Sequence, residues 1–103
     1  MQRLKFFIDT HDKAKKSFPD RLSREQFEGF MVAFEEACRA EGVFLVRSHV
    51  GLEAGRAFCL TMAPDADCVK RAHERMGLPF DSITEIETAS PSDTFFMRQA
   101  EAA

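Results

Sequence analysis

Gly55-Arg-Ala-Phe-Cys-Leu-Thr-Met-Ala-Pro-Asp-Ala-Asp67, followed by His73, Gly77-Leu-Pro79 and Ile83-Thr-Glu-Ile-Glu87, decides the fold. Arg56 to Met62 alternates as a strand does, with Phe58, Leu60 and Met62 on one side and Ala57, Cys59 and Thr61 on the other. Pro64 and Asp65 then begin a helix. Proline loses nothing in a first turn, and Asp65 and Asp67 suit the positive end of the helix dipole. Ala66, Val69, Ala72, His73 and Met76 fall on one side of that helix, and Gly77 ends it. Ser82 to Thr88 reads as the following strand. A cysteine and a histidine are thus set into a strand–helix–strand unit.

Outward from this unit, the preceding half repeats the order. Leu4 to His11 alternates, with Leu4, Phe6 and Ile8 on one face and Lys5, Phe7, Asp9 and His11 on the other. Asp12 to Arg21 is a polar loop. Ser23-Arg-Glu-Gln26 offers a capping box, in which the serine oxygen accepts from the amide three residues on and the glutamine reaches back. The helix it opens carries Phe27, Phe30, Met31, Phe34, Ala37 and Cys38 in one stripe and stops at Gly42. Val43 to Val50 is a second strand, and Gly51-Leu-Glu-Ala-Gly55 has the glycines of a hairpin loop. The order βαββαβ predicts an α+β, ferredoxin-like sandwich: a four-stranded antiparallel sheet with two helices on one face. Residues 1–90 are expected to form this domain and 91–103 a C-terminal tail.

The 103 residues suit one domain, and 45% hydrophobic residues suffice for a packed core. A net charge of −3 argues against a nucleic-acid partner held by phosphate neutralisation. Lys13, Lys15 and Lys16 form the only basic run, read as a solvated loop. All 11 aromatic residues are Phe, which bring burial without a polar handle. The three cysteines lack C-x-x-C spacing, and neither a secretory leader nor a membrane span is discernible, so a reduced, cytoplasmic protein is expected.

Alternation also sorts the polar residues. Asp9 and His11 share a side with Phe7, Arg47 and His49 with Leu45, Cys59 with Ala57 and Thr61, and Glu85 with Ile83. If the more apolar strand sides face the helices, then Asp9, His11, His49, Cys59 and Glu85 converge on the open sheet face. Imidazole, thiolate and carboxylate together suit nickel, zinc or copper. Phe7, Leu45 and Ile83 would remain on that face, and a second copy covering them makes a homodimer the expectation. Each residue also has a plainer role: a polar strand end for Asp9 and His11, a small buried apolar group for Cys59, a core histidine bonded to backbone for His73. No phosphate loop or nucleophile elbow is present.

Ile8-Asp-Thr-His-Asp12, Phe58-Cys-Leu60, Ala63-Pro-Asp-Ala66, His73, Gly77-Leu-Pro79 and Ile83-Thr-Glu85 together resemble a family of small proteins described as nickel-binding, with dimeric ferredoxin-like folds. The likeness runs over roughly residues 4–88, and Phe-Cys-Leu-x-x-Ala-Pro-Asp is its most specific part. It implies a divalent, nickel-type site built from residues such as Asp9, His11, Cys59 and His73. Met76 stands where relatives carry a further histidine, and His49 where an aromatic is more usual.

The leading expectation is therefore a non-catalytic, cytoplasmic homodimer that holds nickel or a similar divalent ion, with Asp9, His11, His49, Cys59 and His73 as candidate ligands. The rival is a cofactor-independent oxygenase or isomerase. Its pocket, in a dimeric barrel, would be lined by Phe7, Leu45 and Ile83, with His49 or His73 moving protons. A third possibility is an interaction module recognising a partner through Phe95-Phe96-Met97.

Overall fold

The computed structural model describes residues 3–87 and 89–91, so the expected tail beyond 91, with Phe95, Phe96 and Met97, lies outside the described residues. Four strands and two α-helices follow in the order β1 (Lys5–Asp12), α1 (Arg24–Ala40), β2 (Phe44–Gly51), β3 (Arg56–Ala63), α2 (Ala66–Met76) and β4 (Ser82–Ile86). The sheet is antiparallel with strand order β2-β3-β1-β4, the ferredoxin-like arrangement.

Local chemistry sets each boundary. Ser23 Oγ accepts from the Gln26 amide at 3.1 Å and Gln26 Oε1 accepts from the Ser23 amide at 2.9 Å, so the capping box forms. Both helices end in the paired backbone bonds of a Schellman motif. Val43 N–H donates to Cys38 O and Gly42 N–H to Arg39 O after α1, and Leu78 N–H to His73 O and Gly77 N–H to Glu74 O after α2. Pro64 precedes the helix rather than opening it, since Asp65 is the N-cap and accepts from Cys68 N–H at 3.0 Å. The loop after β1 is more ordered than its composition suggests. It makes a 3-10 turn over Lys13–Lys15, pinned by Lys13 N–H donating to Gly55 O at 2.9 Å.

The facing of the sheet is the reverse of the expectation. Phe7, Asp9, His11, Ala57, Cys59 and Thr61 point toward the helices and are buried, whereas Phe6, Ile8, Phe58, Leu60 and Met62 are half-buried on the uncovered side. Phe7, Phe34, Cys38, Val43, Cys59, Val69 and Ala72 belong to the core, and Leu45 and Ile83 pack against it. Choosing the more apolar side as the inner one failed because both sides of β1 and β3 are substantially apolar. The inner side also carries polar groups that satisfy one another.

β2 adds a second departure. Leu45 pairs with Thr61, but Arg47 pairs with Leu60, leaving Val46 as an extra residue. This irregularity shifts the alternation by one position. Leu45 therefore faces the core while His49, opposite Phe58, faces out.

Candidate metal centre

Three side chains from two elements meet between sheet and helix. Asp9 and His11 project from β1 toward the helices, two residues apart and so on one face. His73 comes from the last turn of α2, on the buried side of that helix. Asp9 and His73 are 0% exposed and His11 5%. One donor atom from each lies within 4.8 Å of the others, close enough for a single ion to be shared.

The ring nitrogens have distinct surroundings. His11 Nδ1–H donates to Pro79 O at 2.8 Å, with Ser17 O at 3.2 Å, and His73 Nδ1–H donates to Val69 O at 2.8 Å. Each imidazole is thereby held by its Nδ1 side, and each turns Nε2 to Asp9 Oδ1, at 2.8 Å from His11 and 3.3 Å from His73. In the neutral rings those Nε2 atoms carry lone pairs aimed at a carboxylate oxygen. Such an arrangement is repulsive unless a proton or a cation lies between them. Asp9 Oδ2 is buried with no hydrogen-bond partner among the described residues. An orphaned carboxylate oxygen in the interior is costly and suits a cation.

The electrostatics agree with the geometry. Burial works against the Asp9 charge, but the His11 and His73 imidazoles outweigh it and hold the carboxyl below its ordinary range. Burial likewise opposes the His11 cation, yet Asp9, and then the Pro79 and Ser17 carbonyls, hold the imidazolium above its ordinary range. The rings of His11 and His73 stack with centroids 5.5 Å apart, and Phe34 and Phe80 close in on His73 at 4.8 and 5.0 Å.

Of the five residues singled out from sequence, the fold thus brings Asp9, His11 and His73 together. Cys59 faces Asp9 directly across the β1–β3 ladder, on the inner side, and is not on the open face apart from His73 as expected. Burial, followed by the nearby Asp9 charge, pushes its thiol up to about 12, and Ser48 Oγ–H donates to its sulfur at 3.2 Å. His49 is exposed on the outer face, one strand beyond Cys59, and Glu85 is exposed near Lys5 at 3.9 Å. The ring-holding carbonyls of Pro79, Ser17 and Val69 were invisible in the sequence, because a backbone acceptor carries no residue signature. Gly77-Leu-Pro79 after a buried-side histidine was their only trace.

The chain matches the family described as nickel responsive protein, SCO4226-like, over residues 7–86. It belongs to that family. Among solved structures, SCO4226 from Streptomyces coelicolor A3(2) is similar at TM-score 0.70 and 24% identity, over 82% of this chain and 99% of that one. A protein of Deinococcus radiodurans R1, provisionally assigned as a transposase, is similar at TM-score 0.53 and 14% identity, over 99% of this chain and 91% of that one. Both likenesses speak to the fold alone. No curated protein matches the chain in sequence. Among the described residues of this SCO4226-like chain, no helix is long and apolar enough to cross a membrane.

Proposed function

We propose that the protein is a metal-binding protein that holds one divalent transition ion per chain, nickel by preference, on Asp9, His11 and His73. The observation that carries this reading is the convergence of two Nε2 atoms on a buried carboxylate, with Nδ1 of each ring already engaged by a backbone carbonyl. Metal-ligating histidines characteristically donate their second ring N–H in this way, which fixes tautomer and orientation. Imidazole favours nickel, copper, zinc and iron, and the family's description supports nickel among them.

The same reading includes assembly as a homodimer. The uncovered sheet face, with Phe6, Ile8, Phe58, Leu60, Met62 and Ile86, is contiguous by register and apolar. A second copy laid on that face supports the homodimer. The three buried free cysteines fit a reducing cytoplasm.

Nickel loading of the chelated protein, followed by metal analysis and calorimetry, tests the assignment. One ion per chain is expected, with affinity falling more than about 100-fold in His11→Ala and His73→Ala. Unchanged stoichiometry and affinity in those two variants would refute the site. Cys59→Ser is expected to retain the ion, since Cys59 lies beside the three-residue group and not within it.

A further inference from the structure

Two adjoining cavities lie beside the loop after β1. The inner one, about 50 Å³, is bounded by Phe27, Met31 and Phe34 of α1 and reaches His11, Ala57 and Cys59 on the sheet. The outer one, about 240 Å³, runs past Lys16, Met76 and Gly77 to Pro79. Ser17, Phe18, Pro19, Phe30 and Leu78 border both, so the two cavities adjoin.

The polar atoms around the inner chamber are already engaged. His11 uses both ring nitrogens, Ser17 Oγ–H donates to Asp81 Oδ1 at 2.7 Å, and Cys59 sulfur accepts from Ser48. A charged or hydrogen-bonding group entering there would lose its water without replacement. Only an apolar end fits. The volume admits roughly three to five water-sized units, the end of an unbranched chain or a small ring.

The outer cleft differs. Lys16 is exposed on its border and enters no ion pair among the described residues. Lys13 and Lys15 lie in the same turn but outside the lining, and the Asp81 carboxylate bonded to Ser17 on the border partly offsets them, so Lys16 is the cation that addresses the cleft. The carbonyls His73 O and Glu74 O at the end of α2 are occupied by the Leu78 and Gly77 amides, which limits their opposition to an anion.

We infer that the two adjoining cavities open into each other and together bind a small amphiphilic monocarboxylate, its apolar end in the inner one against His11 and its carboxylate at Lys16. The inference does not depend on the metal reading, because the cavities border the centre without using its Nε2 or carboxylate atoms. Octanoate is the probe, titrated into chelated, ¹⁵N-labelled protein. Saturable shifts are expected at Lys16, Phe30, Ala57 and Leu78, with 1-octanol bound about two- to fivefold more weakly. Lys16→Asn, which removes the charge and tolerates the positive φ of 62° at this residue, should weaken octanoate by the same factor and leave octanol unaffected. Ala57→Leu should block the chamber and reduce both ligands. If that variant does not fold, the Lys16→Asn and octanol comparisons decide. Absence of saturable shifts below the micellar range overturns the inference. So does equal binding of octanoate and octanol with Lys16→Asn silent.

Discussion

At the scale of the residue, Asp9 organises the interior. Two imidazoles lean on one of its oxygens and the other is bare, an arrangement that links protonation to stability. The Asp9 carboxyl is held below its ordinary 3.8, so its contribution is complete above that value and is lost as pH falls through the folded value. His11 is held above its ordinary 6.5, so its contribution is complete below that value and is lost as pH rises through the folded value. Urea unfolding of metal-free protein across pH should therefore show stability declining on both the acid and the alkaline side. His11→Ala should erase the part of the alkaline decline that sets in near pH 6.5, below the range in which the raised Cys38 and Cys59 thiols add their own decline, and an unaltered limb in that lower range would contradict the pairing. Strand and helix alternation named Asp9, His11 and His73 but could not join them, and only the family resemblance put them, with Cys59, in one site. The neighbours in space of a helix residue and a strand residue depend on which sheet face the helix covers. That choice was misjudged because the polar trio occupies the inner side and apolar side chains the outer one.

At the scale of the element, the boundaries were the most legible part. The capping box at Ser23 and the glycines after both helices are local signals with local physical causes, and each appears in the fold. The shift in β2 was not legible, since nothing in Val43 to Val50 marks Val46 as the extra residue; it leaves His49 on the uncovered face, as expected, while Asp9, His11 and Cys59 turn inward and part from it. The 3-10 turn was missed for a similar reason: it is pinned by Gly55, a partner distant in sequence. Gly77 offers a clean test of one boundary. Its φ is +61° and an added Cβ would meet nothing within 4 Å, so Gly77→Ala should cost only the conformational penalty. That penalty is about 1–2 kcal/mol, read as a loss in denaturant stability. A much larger loss would mean that the segment from His73 to Pro79 is strained in other ways. Glu41 also steadies this end of the molecule, accepting from Arg71 and Arg75 at 2.8 and 2.7 Å and tying α2 to the end of α1.

At the scale of the whole molecule, the order βαββαβ was fully readable because alternation, caps and loop lengths agree on it. The uncovered face gives this scale its prediction. Leu60→Asp places a charge amid Ile8, Phe58 and Met62 without touching the inner core, so it should dissociate a dimer while leaving the fold intact. Light scattering coupled to gel filtration reads the outcome. A wild-type monomer at all accessible concentrations would remove the proposed assembly.

The depth at which Asp9, His11 and His73 sit bears finally on time. An ion bound as proposed would meet solvent only by way of the cavity that reaches the nearly buried His11, so local opening of the loop near Ser17 or of the end of α2 would speed its exchange. Residence is then governed by the free energy of that local opening as well as by the strength of coordination. If the proposed ion is bound, such a centre would retain it through brief falls in free metal and respond to sustained change, with a memory set by the packing of Phe34, Phe80 and Pro79 around it.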